Sequence, residues 1–187
     1  MSAIAVEATD IPDVKIIIPR KFADPRGFFS ETYNRKAFAD AGIALDFVQD
    51  NQSLSTLRGT VRGLHFQSPP FAQDKLIRVL RGSIYDVAVD LRRSSPSYGR
   101  HVGVELSAQN WRQLLVPAGF AHGFVTLEAD VEVAYKVTGA YSAAHDLGLA
   151  WDDPDLGIRW PLDGVEPALS DKDRRHPRLR DLAPIFD

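Results

Sequence analysis

The chain has 187 residues, 44% of them hydrophobic and 25% charged, which suits one globular domain with a real core or a domain with extensions. Its net charge of −3 leaves no global basic field for nucleic acid, and the lack of cysteine excludes disulfides, thiolate–metal sites and cysteine nucleophiles. No apolar run approaches the ~18 residues of a membrane helix, and residues 1–13 hold Glu7, Asp10 and Asp13 without the basic stretch of a secretory signal, so a cytoplasmic protein free of membrane is expected.

The first turn signal is Pro25-Arg26-Gly27, where Asp24 to Gly27 fits a type I turn. Asn34 then predicts a helix cap, with two turns over Arg35 to Ala41 and Gly42 as the stop. The segment Ser53 to Val61 reads as a loop. Beyond it Val61, Gly63, His65 and Gln67 share one face of a strand, which aims His65 into a barrel. After Pro69-Pro70 and Arg81-Gly82, the residues Tyr85, Val87, Val89 and Leu91 alternate on a strand face. Val102, Val104 and Leu106 do the same, as do Val133, Tyr135 and Val137 opposite Ala134 and Lys136. Ser170, with Asp173 three residues on, has capping-box spacing for a second short helix. The tail from Arg174 to Asp187 is expected to lie on the barrel surface. Short β-rich runs between frequent Pro and Gly turns, with no repeat and no low-complexity linker, predict an all-β sandwich or barrel with short flanking helices. The barrel core is expected at about 45–140, after N-terminal strands and a helix over 11–44 and before a C-terminal segment over 145–187. All of it forms one domain.

Two histidines stand in patterned surroundings, His65 in Arg62-Gly63-Leu64-His65-Phe66-Gln67 and His122 in Pro117-x-Gly119-x-x-His122. Metal-binding barrels of the cupin kind carry His-x-His and a nearby Glu in the first half. Here the second histidine is Gln67, and no glutamate occurs between Ser68 and Lys75. Two neutral imidazoles make a weak site where catalytic zinc has three protein ligands, so no metal is expected. Taken singly, His65 reads as a satisfied core histidine, His122 as part of a tight turn, Tyr135 as barrel packing and Asp173 as a cap. Arg62, Lys75, Gln67 and Gln73 around His65 tip the balance, because burying so many polar groups is costly without a ligand. They suggest a pocket for an anionic, oxygen-rich ligand.

Seven motifs then run in a familiar order: Asp24-x-Arg26-Gly27-x-Phe29-x-Glu31-x-Tyr33, Phe47-Val48-Gln49-Asp50-Asn51, Arg62 to Gln67, Asp86-Val87-Ala88-Val89-Asp90, Pro117 to Phe124, Tyr135-Lys136 and Leu169-Ser170-x-Lys172-Asp173. Over about Ile11 to Pro177 the chain resembles the dTDP-4-dehydrorhamnose 3,5-epimerases. The resemblance implies a cupin-type jelly-roll barrel, a homodimer, and no metal or organic cofactor. It implies a dTDP-4-dehydro-6-deoxy-sugar substrate whose C3 and C5 are inverted. Position by position, it makes His65 the general base and Asp173 its carboxylate partner. Tyr135 becomes the proton donor on the opposite face, and Lys75 the cation near the C4 oxygen with His122 close to the sugar. Arg62 becomes a pyrophosphate ligand, with Gln49 and Asn51 as polar contacts around the nucleotide. Arg26, Phe28 and Glu31 belong to the N-terminal segment that a neighbouring subunit contributes. Tyr141 joins the substrate-binding set, preceded by Ala140 where some members carry a second aromatic flanking the nucleotide base.

The chemistry fits those residue types. Hydrogens on C3 and C5 are α to the C4 ketone and leave as protons once charge on O4 is stabilised. An imidazole, with an ordinary pKa of ~6.5, suits the base, and a phenol near ~10 suits reprotonation of an enolate carbon. The Lys75 ammonium suits the oxyanion stabilisation. Three rivals remain open at this level: a C3-only epimerase of a related deoxysugar route, a metal-dependent cupin enzyme, and a non-catalytic nucleotide-sugar binding module.

Overall fold

A computed structural model describes residues 4–187. Residues 1–3, the start of the segment expected to lack a secretory signal, lie outside it. In chain order the strands are β1 (Ile4–Ala8), β2 (Lys15–Pro19), β3 (Phe22–Asp24) and β4 (Gly27–Phe29), followed by helix α1 (Arg35–Asp40). Then come β5 (Gln49–Ser55), β6 (Val61–Gln67), β7 (Lys75–Arg81), β8 (Ser83–Asp90), β9 (His101–Ser107), β10 (Gln113–Val116), β11 (Phe120–Thr126), β12 (Val131–Val137) and β13 (Asp146–Gly148). Among the described residues no helix is long and apolar enough to cross a membrane.

Every strand pairing is antiparallel. One sheet has six strands in the order β1-β2-β10-β7-β12-β5, the other five in the order β13-β6-β11-β8-β9, and β3 and β4 form a separate hairpin. The two large sheets face one another as a jelly-roll sandwich. Their inner faces supply the main core: Ile77, Val79, Leu114, Val131 and Val133 from one side meet Ile84, Ala88, Val104, Leu106, Phe120 and Phe124 from the other. The alternation read in β9 and β12 therefore points inward. In β8 and just past its end, the apolar set Tyr85, Val87, Val89 and Leu91 points outward, and the C-terminal segment covers it with Leu149, Leu156, Leu182, Ile185 and Phe186. The expected surface position of the tail follows from that need to cover an apolar outer face.

On the outer face of the six-stranded sheet, Ile17, Leu76 and Leu115 are covered by Phe38, Ile43 and Phe47. Helix α1 exists to deliver Phe38, the buried residue among its six. Asn34 caps it by accepting from the Ala37 N–H, and Gly42 leaves it at φ +81°.

The structure corrects the reading of Ser53 to Val61 as a loop, because β5 continues through Ser55. Its residues pair one for one with β12, Ser53 opposite Val133 and Ser55 opposite Val131. As the edge of its sheet, β5 takes its order from the backbone of β12 and carries no continuous apolar face, so its sequence is nearly silent. The Ser170 capping box also forms only by half. Asp173 N–H donates to Ser170 Oγ at 3.1 Å, and the helix shrinks to one 3₁₀ turn over Asp173–Arg175. The Asp173 carboxylate is turned to another task.

Candidate active site

Two glycines bring the histidine-bearing strands together. Gly63, at φ +132°, lies so near β11 that a Cβ would sit 2.6 Å from Gly123 Cα, and a Cβ on Gly123 would sit 3.0 Å from Gly63 Cα. Neither position admits a side chain, and the register of β6 on β11 slips there between His122 and Phe124. His65 emerges opposite His122 on one side and Gly148 of β13 on the other.

His65 Nε2 meets Asp173 Oδ1 at 2.5 Å. Asp173 is 5% exposed, and its second oxygen accepts from Ser170 Oγ at 2.7 Å. Burial alone would raise the Asp173 carboxyl. Hydrogen bonds from His65 and Ser170, and the charges of His65 and His176, outweigh it and hold the group below its ordinary range. A carboxylate only accepts, so His65 donates to it from Nε2.

A cavity of about 210 Å³ opens beside this pair, lined by His65, Gln67, Lys75 and Asp146 together with Gln49, Asn51, Tyr135 and Tyr141. His65 belongs to β6 of the five-stranded sheet. Tyr135 belongs to β12 of the six-stranded sheet, between Asn51 of β5 and Ile77 of β7. Imidazole and phenol thus reach one hollow from opposite layers. Burial raises the Tyr135 phenol, Arg62 lowers it and Asp146 raises it, with a net upward shift, so it is a neutral O–H donor at neutral pH. Lys75 opens β7 and donates from Nζ to the His65 carbonyl at 3.3 Å. The residue is partly buried. Burial pulls its pKa down to about 8, against the attraction of Asp146 and Asp86. It remains largely charged at pH 7.

The other expected residues fall elsewhere. His122 does not line this cavity; it is 8% exposed and donates from Nε2 to Asp86 Oδ1 at 2.6 Å. Arg62 is held at the surface by Ser55 Oγ at 3.0 Å and the Leu54 carbonyl at 3.1 Å. Arg26, Phe28 and Glu31 do not line this cavity. Arg26 pairs with Asp24 at 2.6 Å, Glu31 accepts from Asn34 at 3.2 Å, and Phe28 meets the Trp111 ring edge-on at 5.0 Å. The amides expected to greet a ligand are mostly spent on the backbone. Gln67 donates to the carbonyls of Phe71 and Ala140 and accepts from Ser142 N–H, while Gln73 donates to the Gly139 carbonyl. They pin the cavity's loops.

Two acids escaped the sequence reading. Asp86, fully buried, holds His122. Its signal was available, since it breaks the inward apolar face of β8 between Ile84 and Ala88. Asp146 accepts from Tyr141 Oη at 3.1 Å and Lys172 Nζ at 2.5 Å at the cavity edge. It sits on a three-residue strand that offers no periodicity to read.

His65, Asp173 and His176 have ligating atoms within 4.8 Å of one another. The direct contact of His65 with Asp173 at 2.5 Å is closer than two ligands sit on one tetrahedral zinc, about 3.3 Å for bonds of ~2.0–2.1 Å. His65 and Asp173 form a hydrogen-bonded pair, and His176 stands beside it at 3.6 Å from Asp173 Oδ1. A larger hollow of about 340 Å³ shares Asn51 and Tyr135 with the cavity. Its Lys136 is paired with Asp50 at 2.8 Å, and no imidazole lines it. The smaller cavity is the one that an imidazole, His65, lines.

Comparison with known proteins follows the same lines. The model of the family described as dTDP-4-dehydrorhamnose 3,5-epimerase matches residues 8–181. A protein of that name from Sinorhizobium fredii is 54% identical over 180 residues, covering 96% of this chain and 92% of the relative. The crystal structure of such an epimerase from Bacillus anthracis, with TDP and PPi bound, superposes with a TM-score of 0.91 at 53% identity, covering 94% of this chain and 99% of the other. A dTDP-6-deoxy-D-glucose-3,5-epimerase from Legionella pneumophila, in complex with dTDP-4-keto-L-rhamnose, gives 0.92 at 43% identity, covering 96% and 95%.

Proposed function

Because this chain belongs to the dTDP-4-dehydrorhamnose 3,5-epimerase family, we propose that its cavity works by moving protons between His65 and Tyr135 across one keto-sugar ring. The enzyme inverts C3 and C5 of dTDP-4-dehydro-6-deoxy-D-glucose to give dTDP-4-dehydro-L-rhamnose. His65 takes the α proton on Nδ1 while Asp173 holds the ring from Nε2 and stabilises the imidazolium. The electron pair of the broken C–H bond passes to O4, where the Lys75 ammonium balances it. Tyr135 returns a proton to the other face of the carbon, and the configuration inverts. His65 and Tyr135 lining one cavity from opposing sheets is the observation that carries this reading. A pure binding module needs no opposed base and acid.

The same reading takes the working unit as a cytoplasmic homodimer. Its support is the β3–β4 hairpin, which leaves Phe22, Phe28 and Phe29 at 49%, 55% and 66% exposed, a large apolar surface for a lone chain. Arg26, Phe28 and Glu31 would then serve the neighbour's nucleotide, and Gln49, Asn51, Arg62 and Tyr141 that of their own chain.

The test is incubation with dTDP-4-dehydro-6-deoxy-D-glucose in heavy water plus a chelator, followed by NMR. Deuterium at both C3 and C5 is expected. Label at C3 alone would replace the reading with a C3-only epimerase, and loss of all exchange on chelation would replace it with a metal enzyme.

Lys75 sets a pH dependence. The required form is the ammonium, and burial brings its pKa down to about 8. As pH rises through that value the free enzyme loses its oxyanion partner, so kcat/KM is expected to fall about tenfold per unit above it. A profile flat to pH 10 would remove Lys75 from that role.

A further inference from the structure

Behind the His65–Asp173 pair stands a third imidazole that the mechanism leaves without a task. His176 directly follows the 3₁₀ turn carrying Asp173. Its side chain is 9% exposed, and its Nε2 lies 3.6 Å from Asp173 Oδ1, the oxygen that His65 also holds. That distance is too long for a hydrogen bond, and the buried Nε2 has no other partner among the described residues. Leaving such a nitrogen unmatched costs ~1–3 kcal/mol, so the position is a poor choice for packing alone. The ring also meets His65 edge-on, with centroids 5.5 Å apart and planes at 76°. The fold reserves room for it. Gly148, opposite His65 in the β6–β13 register, has no side chain, and a Cβ there would run into the His176 ring.

We propose that His176 is a positioning residue for the catalytic base, closing the back of the dyad and sharing the Asp173 carboxylate with His65. The inference rests on His65 being the base. The groups facing His176 are His65 from β6, Asp173 and Lys172 from the turn and its approach, and Asp146 from β13. Burial pushes the His176 imidazole down, as do the charges of His65 and Lys172, against the pull of Asp173 and Asp146. It stays neutral and does not compete for the substrate's proton. A neutral ring with Nε2–H turned toward Oδ1 draws off part of the carboxylate's charge. The dyad then releases its proton more readily, and His65 is a free base at lower pH.

The experiment is the pH profile of kcat/KM for the full-length protein with His176→Phe, which keeps the ring, and His176→Leu, which does not. In both, the low-pH limb is expected to move upward by about half to one pH unit, with the Kd for dTDP unchanged. His176→Gln, which restores an N–H donor, is expected to bring the limb back toward wild type. Limbs in the Phe and Leu variants that overlay wild type overturn the proposal. Loss of the thermal transition in both does so too, because it makes His176 a structural residue. His65→Ala, run in parallel, separates the two claims. Retained epimerisation there sinks the base assignment itself, whereas a dead His65→Ala with unmoved His176 profiles sinks only the positioning role.

Discussion

His65→Ala is expected to stop hydrogen exchange at C3 and C5, with turnover falling by at least about 10²–10⁴-fold, the usual weight of a general base. The dTDP moiety should bind as before, since the residues proposed to hold the nucleotide are other than His65. Removing the imidazole also strips Asp173 of its shortest partner, at 2.5 Å, and leaves a carboxylate only 5% exposed with Ser170 as its remaining side-chain donor. That loss should cost about 1–3 kcal/mol of stability. His65→Asn, which keeps an amide donor at the site, separates the chemical defect from the folding one. Isotope exchange followed by NMR, beside a thermal melt, reads both. Epimerisation at wild-type rate in either variant would disprove the assignment.

Tyr135→Phe should split the reaction in two. The base and the ammonium remain, so α protons still leave and return on the face of His65, and wash-out of substrate hydrogen into heavy water continues. Delivery to the opposite face loses its donor. Net formation of inverted sugar is expected to fall by about 10²-fold or more while exchange falls much less. The phenol suits this task because burial keeps it protonated at neutral pH, and phenylalanine preserves its packing against the inner core. Equal losses of exchange and inversion would show that Tyr135 acts on the first proton instead. An unchanged yield of inverted product would remove it from the chemistry.

The strands of the central core were legible because they are half-buried on a strict period of two. Val102, Val104 and Leu106, and Val133, Tyr135 and Val137, announce their faces by alternation alone. Helix α1 was legible from Asn34 and Gly42, residues with a local physical job. β5 was not, because Gln49-Asp50-Asn51-Gln52-Ser53-Leu54-Ser55 forms a strand through pairing with β12 rather than through its own preference. The site divides in the same way. His65, Lys75 and Tyr135 lie on patterned strands or at their starts, and family resemblance gave them roles. Asp146 and His176 reach the site through contacts made when the C-terminal segment folds back over β6, a long-range event with no local trace. Gln67 shows the opposite failure. A polar side chain two residues from His65 invites a ligand role, yet its amide ties two loops together.

His65 and Tyr135 are mounted on separate leaves of the sandwich, so in the proposed mechanism the width of the hydrophobic filling between those leaves is also the reach of the proton transfer. Sheets packed face to face stand ~10 Å apart, and near-attack geometry tolerates errors well below 1 Å. Bulk added or removed at Leu114 or Phe120, neither of which lines the cavity, would therefore register first as a mistimed second proton and only later as a lower melting point. On the proposed mechanism the hydrocarbon core sets the stroke length of the catalyst.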